Sequence, residues 1–290
     1  MRIVHMSDLH VARFSRSPRA YCDKRLFGMA NYVLRRARYV HPEYWDRALE
    51  RIARLRPELV LCTGDATCVG SPEEHAAAMA LLEPLRQQYG EKFLFLPGNH
   101  DAYVTAPDCR AALAQTFRHL NSGRWRLDDL PLEWHVGGLT FLLLDAARPM
   151  PCLLSSGVVP PKALTWLDDR VTKPRAEGEC RVLVCHFPLR GADGRPLARR
   201  RRMEGAEVLL EHLHQDRVDV VLSGHVHEPF ARWRADGRGE VCAGSLMLSG
   251  CFSVLDWMPG TCRFRQFFVD VSASGDPTVP ILDGSLAPAS

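Results

Sequence analysis

The stretch Lys92-Phe93-Leu94-Phe95-Leu96-Pro97-Gly98-Asn99-His100-Asp101 decides the fold. An apolar run stops at Pro97-Gly98, a strand stop followed by a turn. An amide, an imidazole and a carboxylate then stand in consecutive positions. A loop at the carboxyl end of a buried strand is where an open α/β sheet presents its chemistry. Taken alone, Asn-His-Asp is equally compatible with a polar turn, so the other histidines and aspartates decide its meaning.

Four more apolar runs end in the same way. Arg2–Met6 leads to Ser7-Asp8-Leu9-His10, and Leu59–Cys62 to Thr63-Gly64-Asp65. Arg181–Cys185 leads to His186, and Val218–Leu222 to Ser223-Gly224-His225-Val226-His227. If these strands lie side by side, all five loops meet at one sheet edge. Oxygen and imidazole ligands without thiolates suit Mn, Fe, Zn, Co or Mg rather than a structural zinc site. Asp-x-His and His-x-His are expected to place residues i and i+2 on one side of an extended backbone, so that each pair grips one ion. The other seven histidines (His5, His41, His75, His119, His135, His212 and His214) fall inside predicted elements or a generic loop and are assigned structural or surface roles. His212 and His214 fall in a predicted helix, where i and i+2 diverge.

The motifs Asp8-x-His10, Gly64-Asp65, Gly98-Asn99-His100-Asp101, His186 and Gly224-His225-x-His227 together resemble the signature of the calcineurin-like metallophosphoesterase superfamily. The resemblance implies a four-layer α/β/β/α sandwich and a dinuclear centre. One ion is expected on Asp8, His10 and His227, the second on Asn99, His186 and His225, with Asp65 bridging. Two divalent ions are expected, Mn first, with Fe, Zn, Co or Mg as alternatives. A hydroxide shared by two such ions attacks the phosphorus while the ions clamp the phosphate oxygens. His100, adjacent to Asn99, is expected to touch the phosphoryl group or protonate the leaving oxygen, with Asp101 orienting it.

Between these motifs the chain reads as helices. Pro42 opens one with the stripe Trp45, Ala48, Leu49, Ile52 and Leu55. Ser71-Pro72-Glu73-Glu74 has the form of a capping box with proline at the first position. Further helices are expected over Asp108–Leu120, from Pro160-Pro161 through Val171, and over Met203–His214. Gly137-Gly138 marks a hairpin, and Gly191–Arg202 is a polar basic loop. Short strands follow to residue 271 and fit the second sheet of the implied sandwich. The expectation is one α/β domain over 1–271 and a loosely held tail over 272–290 rich in Pro, Gly, Ser and Ala.

The segment Val11–His41 is the most unusual: eight Lys and Arg residues beyond position 12 face a single acidic residue, Asp23, with aromatic and aliphatic residues interleaved. Leu26, Met29, Ala30, Val33 and Leu34 recur at helical spacing. Such a segment can lie on an anionic membrane, cap the site over a phosphorylated amphiphile, or simply pack on the core with a solvated basic face. Its wording, Lys24-Arg25-Leu26-Phe27-Gly28-x-x-Asn31 followed by Arg35-Arg36, is similar to the calcineurin-like branch of UDP-2,3-diacylglucosamine pyrophosphatases of lipid A synthesis. That resemblance implies hydrolysis of the sugar nucleotide's pyrophosphate to UMP and 2,3-diacylglucosamine 1-phosphate, with Lys24, Arg25 and Arg36 contacting phosphate. The alternatives are a cyclic-nucleotide or general phosphodiesterase and, in another class, a non-catalytic membrane-surface binding protein.

A net charge of +3 over 290 residues does not by itself imply nucleic acid, and the aromatics of Val11–His41 follow helical packing rather than a stacking platform. Met1 leads to Ile3-Val4 and Asp8 with no apolar signal-peptide core, and the ten cysteines form no CxxC pair. The expected compartment is the cytoplasm, with possible contact at the inner membrane face. The expected partners are a phosphorylated small molecule or lipid and an anionic membrane, with no obligate protein partner.

Overall fold

In the computed structural model, residues 1–260, 263–273 and 283–284 are described. Except for 272, 273, 283 and 284, the expected tail lies outside them. Two six-stranded sheets form the centre. In the first, Arg2–Met6 pairs in parallel with Leu59–Cys62, which pairs in parallel with Phe93–Phe95. On its other side Arg2–Met6 pairs antiparallel with Cys251–Met258, followed by Arg263–Asp270. The second sheet runs Phe230–Trp233, Gly239–Cys242, Val220–Ser223, Cys180–Val184, Leu139–Leu143 and Leu132–Val136.

The parity of the strand side chains explains the layers. Ile3, Leu59, Leu61 and Leu94 point into the gap between the sheets and meet Phe141, Val182, Val184 and Leu222. Val4, Met6, Val60 and Phe95 face the other way, against Trp45 and Ile52 of helix Glu43–Leu55 and Leu82 and Leu85 of helix Pro72–Tyr89. On the far side Leu142, Leu183 and Val221 meet Leu167 of helix Pro161–Val171 and Leu209 and Leu213 of helix Ala206–His214. Strands buried on both faces have no polar side to show, which is why they read as continuous apolar runs. The result is the α/β/β/α sandwich. The Ser71–Glu74 capping box and the Leu132–Val136/Leu139–Leu143 hairpin form as the sequence predicts.

Two expectations are corrected. The C-terminal strands do not all join the second sheet: Phe230–Trp233 and Gly239–Cys242 do, but Cys251–Met258 crosses back to pair with the first strand, Ile3 opposite Leu255. Nor do the five motif-bearing strands lie in one sheet; three belong to the first and two to the second. The basic segment forms helix Lys24–Asn31, a π turn Tyr32–Arg36 and a 3-10 turn Ala37–Tyr39. Of its predicted apolar stripe only Met29 is buried, against Cys68 and Val69, while Leu26, Val33 and Leu34 are exposed.

Candidate metal centre

All five loops converge at one end of the sandwich, and their backbone is unusual. Among the described residues, nine non-glycine residues have positive φ, and Asp8, His10, Asp65, His225 and His227 are five of them. The expected extended geometry of Asp-x-His and His-x-His is therefore corrected: left-handed residues curl each loop around its own side chains. That conformation is disfavoured for residues with a Cβ and persists only where surrounding contacts over-determine it. Here Asp8 N donates to Gly64 O and His10 N to Asp65 O, both at 2.9 Å, and His225 N donates to Asp8 Oδ2 at 2.9 Å. The neighbouring glycines leave no room for a side chain. A Cβ on Gly98 would stand 2.3 Å from Asp65 Oδ1, and one on Gly224 2.0 Å from Ser7 Oγ.

The ligand atoms form two groups that share Asp65: Asp8, His10, Asp65 and His227, and Asp65, His186 and His225. His10 Nε2 lies 2.9 Å from His227 Nε2, and Asp8 Oδ1 lies 3.5 and 3.2 Å from those two nitrogens. Asn99 Oδ1 joins the second group, 2.9 Å from His225 Nδ1. Bonds of about 2.1 Å at right angles put neighbouring ligand atoms about 3.0 Å apart, which is the spacing of this set.

The tautomers test the fit further. His186 Nδ1–H donates to the Thr63 carbonyl at 2.7 Å, so Nε2 is the nitrogen that faces the site, 3.2 Å from Asp65 Oδ2, and it must give up any proton it carries there to serve as a ligand. His225 Nε2–H donates to the Arg201 carbonyl at 3.0 Å, leaving its Nδ1 lone pair facing the Asn99 oxygen. Asp8 Oδ1, Asp65 Oδ2 and His186 Nε2 are buried without a hydrogen-bond partner among the described residues. Lone pairs that face one another in a buried site repel unless a cation or a proton lies between them. The residues fit two divalent cations.

His100 stands in the same cleft, its ring edge-on to His10 at 4.8 Å and stacked on Tyr103 at 5.5 Å. Its Nδ1–H donates to the Cys68 carbonyl at 2.5 Å, and its backbone N–H donates to Asp65 Oδ1 at 2.7 Å. Asp101 does not orient it. That carboxylate accepts from Thr67 N, Thr67 Oγ1 and Gly98 N at 2.9–3.0 Å, and so folds the loop that carries Asn99 and His100.

A sequence model of the family described as calcineurin-like phosphoesterase matches residues 1–229, most of the chain and every one of these motifs. The chain belongs to the calcineurin-like phosphoesterase family. A dimetal phosphatase from Danio rerio shares the fold with a TM-score of 0.62 at 15% identity, over 91% of this chain and 98% of that one. A 3′,5′-cyclic-nucleotide phosphodiesterase of Nostoc is 25% identical over 228 residues, 77% of each protein. A cAMP/cGMP dual specificity phosphodiesterase of Mycobacterium tuberculosis is 25% identical over 188 residues, 64% of this chain and 49% of that protein. The chain thus matches about half the length of the Mycobacterium relative.

The calcineurin-like phosphoesterase scaffold separates the cationic residues expected at phosphate. Arg36, carried by the π turn, lines the cleft beside Asp65, His100 and His227; such wide turns recur at functional sites. Lys24 lines the adjoining cavity, with Nζ 2.8 Å from Met150 O and 3.9 Å from the centre of the Tyr103 ring. Arg25 does not join them: it is buried, paired with Asp23 at 2.8 Å and bonded to Cys109 Sγ. None of the seven other histidines enters the ligand groups among the described residues. His5 bonds Thr63 Oγ1 and His75 the Asp101 carbonyl, one layer behind the site. The residues that sequence reasoning missed are Thr63, Cys68 and Arg201, which act through carbonyl oxygens and so carry no side-chain signature.

Proposed function

We propose that this chain is a metal-dependent phosphodiesterase, with cyclic nucleotides as the substrate class. The observation that carries this reading is one imidazole, His100, standing outside the ligand set in the cleft that the ligands form. Two bound divalent ions supply charge neutralisation and a water acidic enough to attack near neutral pH.

The chain's own residues position the substrate and move the proton. Burial, reinforced by His10 and Arg36 against the pull of Asp65, holds the His100 pKa down to about 3. The ring therefore meets the substrate neutral, Nδ1–H on Cys68 and a lone pair on Nε2. A phosphoryl anion against Nε2 favours the charged ring, so Nε2 takes up a proton from solvent as the substrate binds and delivers that same proton to the leaving oxygen, returning to the neutral ring. Arg36 offers its guanidinium to the phosphoryl oxygens in the same cleft. The names of the Nostoc and Mycobacterium relatives support the cyclic-nucleotide class. The test is turnover of cyclic AMP, cyclic GMP and bis(p-nitrophenyl) phosphate with Mn, Mg or Zn. Metal-dependent release of a nucleoside monophosphate is expected; absence of metal-dependent cleavage of every diester rejects the reading.

A second reading has one specific observation in its favour. Of the eleven large hydrophobic side chains exposed among the described residues, all but Val208 and Met258 lie in residues 14–39 or at Leu153 and Leu154. Both segments line the cleft or adjoin it, and the first interleaves its apolar residues with arginines. That surface suits an amphiphile such as UDP-2,3-diacylglucosamine held at an anionic membrane. No helix among the described residues is long and apolar enough to cross a membrane. Neutralising the arginines and lysine of Val11–His41 separates the readings. The amphiphile reading requires collapse on the diacyl substrate with small diesters spared, and loss on both or on neither opposes it.

A further inference from the structure

The run Arg199-Arg200-Arg201-Arg202 contributes no ligand to the metal centre, yet its backbone is built into it. The Arg200 carbonyl accepts from Ser155 N at 2.9 Å, tying the run to the loop that carries Leu153 and Leu154. The next carbonyl, that of Arg201, accepts from His225 Nε2–H at 3.0 Å. Arg201 Nη2 reaches back to the His225 carbonyl at 3.3 Å. Arg201 is thus fixed to a metal-ligating residue at both its backbone and its side chain.

The half-buried Arg201 lines a cleft of about 670 Å³ together with Arg36, Arg200, Asp65, His100 and His227. Arg36 arrives there from the N-terminal insertion and Arg201 from the loop before helix Ala206–His214, so the two cations come from different walls. Among the described residues, none of Arg36, Arg200 and Arg201 pairs with a carboxylate, whereas Arg2, Arg190 and Arg232 elsewhere do. Cations crowded together and partly withdrawn from water are unfavourable until an anion completes them.

We infer that Arg201 is a substrate-contacting residue that holds phosphoryl oxygens jointly with Arg36, from the other wall of the cleft. The inference rests on the reading of this cleft as a phosphoester site. A guanidinium presents a planar fork of N–H donors that matches two oxygens of one phosphate. Because the contact to His225 Nε2 comes from the Arg201 carbonyl, it survives any side-chain replacement, and the two roles of the residue can be measured apart.

The experiment is calorimetric titration of the metal-loaded protein with inorganic phosphate, for wild type, Arg201→Ala and Arg201→Lys, with metal content determined on the same samples. Arg201→Ala is expected to weaken phosphate binding about tenfold or more while both ions are retained. Arg201→Lys, which keeps the charge without the fork, is expected between the two. In turnover of bis(p-nitrophenyl) phosphate the loss should appear mainly in KM. Phosphate affinity unchanged in Arg201→Ala overturns the inference. So does parallel loss of metal and phosphate in both variants, which would make the side chain a prop for the loop. The phosphate titration needs no turnover, so failure of the phosphodiesterase reading in the diester assay and failure of this inference are separate results.

Discussion

His100 gives its Nδ1–H to the carbonyl of Cys68 at 2.5 Å and makes no bond to the carboxylate beside it in sequence, Asp101. A backbone acceptor cannot be removed by changing a side chain, so Cys68→Ala should keep turnover near wild type. Asp101→Asn, in contrast, replaces an acceptor of three hydrogen bonds with a group that is partly a donor. A buried donor left unsatisfied costs about 1–3 kcal/mol. Asp101→Asn is expected to lower the melting temperature and the metal content together. A variant with full metal occupancy and reduced turnover would restore Asp101 as the orienting group.

His100→Asn should lower kcat by about 10²–10⁴-fold, the usual contribution of one proton-transfer group, and leave the metal content nearly unchanged. Asp65→Asn should lose metal and activity together, because Asp65 belongs to both ligand groups. Elemental analysis beside initial rates distinguishes the two. Equal loss of metal and turnover in His100→Asn rejects its catalytic role.

Metal uptake should release a proton. Burial opposes a charge on His186, but the Asp65 and Asp8 carboxylates and the Thr63 carbonyl override it and hold its pKa at about 9. The raised value means that the metal-free ring is protonated at neutral pH, while a ligand must be neutral. Affinity for the metal at this site is therefore expected to climb about tenfold per pH unit from roughly 6.5 to 9 and then level off. Calorimetry at pH 7 in buffers of different ionisation enthalpy should show about one proton released through this group. A pH-independent affinity over that window contradicts the assignment.

Gly98→Ala tests how closely the loops approach. Its Cβ would meet Asp65 Oδ1 at 2.3 Å and the His186 ring at 2.8 Å. Both belong to the candidate ligand groups and are buried in the core of the site. The variant should fold but bind little metal, as read by chelator-competition titration. Metal binding equal to wild type would show that the loops are looser than described.

How much of this could be read in the sequence follows from where each signal resides. A strand buried on both faces advertises itself as an apolar run, and the residue at its end is adjacent in the chain, so Asp8, Asp65, Asn99, His186 and His225 were legible. Which sheet each strand joins depends on partners far away, such as Leu255 opposite Ile3, and no local pattern encodes that. The left-handed backbone at five ligands was hidden because Asp and His carry no obligatory signal for it, unlike glycine. Arg25 has the same composition signal as Arg36, yet Asp23 two residues earlier captures it as helix Lys24–Asn31 begins. The carbonyls of Thr63, Cys68 and Arg201 belong to the backbone and are silent in any motif.

The division of the ligands between the two sheets has a mechanical side. Asp8, His10, Asp65 and Asn99 follow strands of the first sheet, while His186, His225 and His227 follow strands of the second. Any cation shared by these groups would therefore bolt one half of the sandwich to the other at the loop end. A chelator should do more than silence the chemistry: it should let the layers part at that end first. Hydrogen exchange would accelerate in the five loops and the last residues of their strands well before the helix-covered faces respond.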